Sequence, residues 1–176
     1  MSAVKRLLLG LLLLLLVLPV ACSSGARADG SGVHEISGPM PPLAGETLQG
    51  GSLSPEDYAG RVVVVNFWAT WCGPCRREQP VLSAVQAAQG PDGATFVGVN
   101  YRDDAAAARA YLDEFGVTYA SLEDASGSLA YAFGVPYLPV TVVADAQGNL
   151  RFRAVGALDR ATLEDMIAKA SSPSTP

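Results

Sequence analysis

The segment NFWATWCGPCRREQP, Asn66 to Pro80, sets Cys72 and Cys75 two residues apart, with Trp71 before them, Gly73 and Pro74 between them and Glu78 after them. Three chemistries use such a pair. A zinc centre needs four ligands, usually cysteine or histidine, and no histidine stands beside these two, which argues against a metal. A permanent bridge would close a very short loop, and loop-closure stabilisation grows with loop length, so a purely structural role gains little. A reversible dithiol fits better. If a strand runs into C-x-x-C at the start of a helix, Cys72 meets unpaired backbone N–H groups and the positive end of the helix dipole. Those favour a thiolate, the attacking species in disulfide exchange, and Cys75 one turn later is placed to resolve the mixed disulfide. Pro74 suits a first helical turn, where its missing N–H is not needed.

The flanking pattern supplies that strand and helix. Arg61 to Trp68, RVVVVNFW, is a nearly continuous β-branched and aromatic run, as expected of a strand covered on both faces. Behind the cysteines, Val81, Ala84, Val85 and Ala88 recur at helical spacing, Pro80 is expected to kink the helix, and GPDG at 90–93 closes it. Ala94 to Asn100 reads as a second buried strand. A helix follows, with Asp103 or Asp104 as N-cap, an apolar stripe of Ala108, Tyr111, Leu112 and Phe115, and Gly116 as its stop. A short helical piece near Ser128 to Phe133 leads to a strand over Val140 to Ala144. Leu150, Phe152 and Ala154 then alternate with Arg151 and Arg153, the period of an antiparallel strand. A last helix from Asp159 turns Leu163, Met166, Ile167 and Ala170 inward. The order predicts an α/β domain, a central mixed sheet with helices on both faces, over residues 45–170.

At these residues the chain resembles the thioredoxin superfamily, whose WCGPC signature it carries, and within it the extracytoplasmic TlpA/ResA-like branch. Asn66 occupies the place where cytosolic thioredoxins keep a buried acid. Glu78 matches a glutamate of that branch implicated in proton handling near the cysteines, and GVPYLPVTVVADAQGNL matches its approach to the last strands. The resemblance implies a thioredoxin-like fold, a thiol-disulfide oxidoreductase activity, and no cofactor beyond a redox-active Cys72–Cys75 disulfide. It makes Pro139 a cis-proline facing the pair, with Leu138 offering backbone to substrate beside Trp71, Gly73 and Pro74; Pro136 competes for that role. Val140 follows the proline where the family often has threonine, with Thr141 one place later. Glu78 has a second reading, as an acid favoured near a helix start or paired with Arg76 or Arg77. Trp68 is expected in the core and Trp71 at the surface. The resemblance further implies disulfide-containing exported substrates such as apocytochrome c, and recharging by a membrane thiol electron carrier of CcdA/DsbD type. Gly73-Pro74 brings no charge between the cysteines, which points to a reducing potential, nearer about −270 mV than about −120 mV.

The rest of the chain bears on location. Lys5 and Arg6 precede an apolar run, Leu7 to Leu18, and small residues follow at Val20 and Ala21, the sections of an export signal over 1–21. LPVACSS resembles a bacterial lipobox, with Pro19 where leucine is usual, and makes Cys22 a lipidation site; multiple acyl chains would hold the protein on the bilayer. Residues 22–44 then read as a flexible tether, containing the lone His34 as a solvated side chain, and 171–176 as a loose tail. The expected place is the outer face of the cytoplasmic membrane, or secreted if the signal is simply cleaved. Without Lys5 and Arg6 the chain keeps ten basic against 17 acidic residues, a charge of −7, which argues against nucleic-acid binding. A general oxidant or isomerase, a thiol peroxidase and a non-enzymatic docking lipoprotein stand as alternatives; a peroxidase lacks its lone peroxidatic cysteine here.

Overall fold

The computed structural model describes residues 32–172. The expected export signal, Cys22, the first part of the expected tether and residues 173–176 lie outside these residues. Among the described residues, eight strands form one six-stranded sheet, ordered β1-β8-β7-β4-β5-β6, and a separate two-stranded ribbon, β2-β3, accompanied by four α-helices. The strands are β1 (Gly32–Glu35), β2 (Gly45–Glu46), β3 (Ser52–Leu53), β4 (Val63–Trp68), β5 (Thr95–Tyr101), β6 (Ser121–Asp124), β7 (Val140–Ala144) and β8 (Leu150–Val155). The helices are α1 (Gly73–Gln89), α2 (Ala105–Glu114), α3 (Ser128–Ala132) and α4 (Arg160–Ser171). β4, β5 and β6 run parallel, while β7 is antiparallel to β4 and β8 to β7, so the sheet is mixed and thioredoxin-like.

All six residues of β4 are buried, as their unbroken apolar run demands. Alternate residues serve two cores. Val64 and Trp68 face a layer built by α1, α2 and α4, with Tyr111, Leu82, Leu163 and Met166. Val63, Val65 and Phe67 face the other, closed by α3 through Ala130 and Phe133 and by the N-terminal segment through Leu43, Leu53 and Tyr58. Asp104 caps α2 by accepting the Ala107 N–H at 2.8 Å, and Gly116, at φ 58°, turns the chain out of that helix. Asp159 caps α4 in the same way through the Thr162 N–H.

Two expectations require correction. The fold begins upstream of Gly45: β1 pairs antiparallel with β8, placing His34 opposite Arg153 on the sheet edge, and Leu43 is fully buried. The small, polar composition before β1 obscured a strand whose partner residues lie 117 to 123 positions later in the sequence, a pairing no local period records. In α1 the inward stripe is Cys75, Glu78, Gln79, Leu82 and Val85, whereas Ala84 and Ala88 are exposed. Two polar residues on the buried face shifted the apparent apolar stripe by about one position. Pro80 lies on the exposed side of α1, which continues as one helix from Gly73 to Gln89.

Side chains of the two neighbouring strands crowd Gly98 on β5, where an added Cβ would stand 2.4 Å from Ser121 Oγ and 2.9 Å from Trp68 Nε1. Gly98→Ala should therefore cost about 1–3 kcal/mol of folding stability, measured by urea denaturation; an unchanged midpoint would show that β5 and β6 can separate freely.

Candidate active site

The loop between β4 and α1 delivers the two cysteines. Cys72 is the N-cap of α1, in extended conformation, and its Sγ accepts the Cys75 N–H at 3.2 Å. The two sulfurs are joined in a disulfide, with the Cα atoms 5.3 Å apart. Cys72 is 5% exposed and Cys75 2%, so the sulfur at the helix tip is reached through a narrow opening rather than standing free. Gly73 and Pro74, between them, are exposed. Tyr111 on α2 donates its hydroxyl to the Cys75 carbonyl at 3.2 Å and stacks on Trp68, tying the start of α1 to both neighbouring elements. Burial pushes the Tyr111 phenol well above its ordinary range and keeps it a donor.

The approach to Cys72 is fixed from the side. Asp103 accepts the Thr70 N–H at 2.6 Å and the Thr70 hydroxyl at 2.7 Å, and takes a third bond from Asn100 Nδ2 at 2.9 Å. Partial burial works against the Asp103 charge, yet these donors outweigh it and hold the carboxyl below its ordinary range. Arg102 beside it adopts a left-handed backbone, φ 45°, and offers its carbonyl to Trp71 Nε1 at 3.4 Å. Trp71 is 61% exposed and Trp68 is buried, as their places in the sequence suggested. Of the two candidate acids at 103 and 104, only the second caps the helix; the first braces the cysteine loop.

Pro139 follows a cis peptide bond from Leu138, and it is buried, whereas Pro136 is exposed. Leu138 is half-buried and packs against both cores. Tyr137, at 60% exposure, leaves an aromatic side chain at the surface of this segment. The displaced threonine has a structural account. Val140 points into the core on the α3 side, and Thr141, the next residue, pairs directly with Asn66 across β4 and β7.

That pairing builds the polar interior behind the dithiol. Glu78 lies one turn after Cys75, on the same face of α1, and is 1% exposed. Among the described residues it makes no ion pair; Arg76 instead pairs with Glu114 at 2.5 Å. Glu78 Oε1 accepts the Leu158 N–H at 3.1 Å and Oε2 accepts Asn66 Nδ2 at 3.2 Å, while the same amide donates to Thr141 Oγ1 at 3.0 Å. Burial raises the carboxyl from its ordinary 4.5 to about 7, against the bonds from Leu158, Asn66 and Thr141, which each lower it. The reading of Glu78 as a solvated or arginine-paired acid fails on this geometry. Leu158 and Thr141 were not identified from sequence as its partners; the Leu158 contact is made by backbone and carries no residue-type signal.

Because the folded carboxyl holds its proton to about pH 7 and an unfolded one only to about 4.5, the native state binds more protons between those values. Stability from this group is complete below about pH 4.5 and falls as pH rises through 7, by about 3 kcal/mol. Denaturation of the oxidised protein at several pH values should show that decline, and Glu78→Gln should lack it. The same pH dependence in both proteins would mean that the carboxyl is solvated.

The Redoxin family profile matches residues 35–168. The chain is 37% identical over 135 residues to the thiol:disulfide interchange protein DsbE of Pseudomonas fluorescens biotype C, covering 76% of this chain and 74% of that one. It is 36% identical over 115 residues to the thiol:disulfide interchange protein HelX of Rhodobacter capsulatus, covering 65% and 61%. Among solved structures, a secreted Mycobacterium tuberculosis disulfide oxidoreductase homologous to E. coli DsbE aligns with a TM-score of 0.65 at 30% identity, over 72% of this chain and 95% of that one. A DsbF homologue from Corynebacterium diphtheriae aligns at 0.72 with 29% identity, over 82% and 96%. With the fold, the C-x-x-C disulfide and these likenesses agreeing, the chain belongs to the redoxin family and is a thiol-disulfide oxidoreductase.

Proposed function

We propose that the protein is a reductant of disulfides in exported proteins, with the cysteine pairs of apocytochrome c as a substrate class, working at the outer face of the cytoplasmic membrane. The observation that carries this reading is the asymmetric pair: Cys72 caps α1 and receives an N–H, while Cys75 lies deeper, one turn before a buried carboxyl. Likeness to the interchange proteins DsbE and HelX supports it.

In the reduced enzyme the Cys72 thiolate attacks one sulfur of a substrate disulfide. A new S–S bond forms, the substrate bond breaks, and the second substrate sulfur leaves as a thiolate that takes a proton from solvent. Cys75 then gives its proton to the Glu78 carboxylate, and the resulting thiolate attacks Cys72 Sγ. The mixed disulfide breaks, the substrate leaves fully reduced, and the enzyme holds the Cys72–Cys75 disulfide. A carboxyl near pKa 7 is suited to this step because it is partly ionised at neutral pH and can accept and later release the proton. Trp71, Gly73, Pro74 and the Leu138–Pro139 backbone form the rim against which the substrate peptide lies. A membrane dithiol carrier of CcdA/DsbD type returns two electrons for the next cycle. A lipid on Cys22, ten residues before β1 begins at Gly32, keeps the domain near that carrier.

Cys75→Ser in cells should trap substrates and the electron donor as mixed disulfides through Cys72, and Cys72→Ser should trap none; identical capture by both would contradict the assigned order of attack. Cys22→Ser should move the protein from the membrane fraction to the medium or periplasm. Retention in the membrane fraction would rule out a lipid anchor.

A further inference from the structure

The Gly73-Pro74 pair brings no charge of its own, yet the fold delivers one to it. Arg77 stands one helical turn after Gly73, and helix side chains lean toward the N-terminus, so a long side chain covers the turn before its own. Gly73 leaves that spot open: a Cβ there would lie 3.9 Å from Arg77 Nη1. The guanidinium therefore rests against the residue that follows Cys72, at the same helix end where Cys72 Sγ receives its N–H.

A cation is disfavoured at a helix N-terminus, and α1 has no acidic residue in its first turn to offset one. The surrounding charges are engaged elsewhere. Arg76 pairs with Glu114, Asp103 is bound by Thr70 and Asn100, Glu78 by Leu158 and Asn66, Arg102 reaches the Ser126 carbonyl, and Asp159 caps α4. Arg77 is exposed and makes no hydrogen bond or ion pair among the described residues. The anion missing from this corner is the one that reduction creates.

We propose that Arg77 is a positioning residue for the redox reaction, its guanidinium stabilising the Cys72 thiolate and making the pair more oxidising than Gly73-Pro74 alone would set. The inference rests on Cys72 being the attacking sulfur. Reducing the disulfide adds two electrons and, with Cys75 protonated, one proton, leaving a thiolate at Cys72. A cation beside that thiolate favours the reduced state and raises the potential. Solvent screening limits the effect to about 0.5–1 pKa unit. That is a three- to tenfold change in the exchange constant with glutathione, about 15–30 mV at 29.6 mV per tenfold.

The test compares Arg77→Ala, Arg77→Lys and Arg77→Glu with the parent protein. Each reduced protein is alkylated with iodoacetamide across a pH series, with the modified cysteine identified by mass spectrometry, and each is equilibrated with glutathione. The expected result is a Cys72 midpoint unchanged in Arg77→Lys, about 0.5–1 unit higher in Arg77→Ala and higher again in Arg77→Glu. The glutathione equilibrium should shift toward the disulfide in the same order, and the differences should shrink in about 1 M salt. Equal midpoints in the alanine, lysine and glutamate forms, with Cys72 still first to react, would overturn the role of Arg77. Alkylation of Cys75 before Cys72 would overturn the underlying order of attack instead.

Discussion

A carboxyl group enclosed behind the disulfide governs the design of this site. Charge inside a protein is costly unless it is bonded, and Glu78 is both enclosed and held by three polar partners, so neither its protonated nor its ionised form is strongly preferred near neutral pH. In the proposed mechanism that balance serves a proton transfer. The nearest such step on α1 is the ionisation of Cys75, one turn away, which disulfide exchange requires in each cycle.

The sheet register is what makes this possible. Asn66 on β4 stands opposite Thr141 on β7, both on the face toward α1, and the Asn66 amide binds the carboxyl and the hydroxyl together. An acid at position 66 would place a second carboxylate against Glu78; the amide supplies a donor instead. A slip of one residue in either strand would turn these side chains into the opposite core. The loop bearing Thr70 and Trp71 is braced separately by Asp103 and the Arg102 carbonyl, so Cys72 is positioned from the segment after β5 and Cys75 from α2.

Much of this was legible in the sequence because its strongest signals are local. The unbroken run in β4, the C-x-x-C after it, the cap at Asp104 and the alternation in β8 each record their own structure within a few residues. The same holds for Trp68 inside and Trp71 outside. What escaped was non-local. β1 is defined by a partner at the far end of the domain, and the Leu158 bond to Glu78 is made by backbone. The polar pair Glu78 and Gln79 on the buried side of α1 displaced the apparent apolar stripe, since a periodicity search treats buried acids as surface. Functional placement and local pattern thus disagree most where the chemistry sits. The threonine that had moved one place from the family pattern proved to mark the polar face of β7.

The most direct measurement of the central claim is the rate at which a preformed mixed disulfide on Cys72 is resolved by Cys75, followed by stopped flow across pH in the parent protein and in Glu78→Gln. A titrating group with apparent pKa near 7 should shape the parent profile and be absent from the variant, which should resolve more slowly at neutral pH. Superimposable profiles would contradict the account, leaving Glu78 as a buried structural acid with no part in proton transfer.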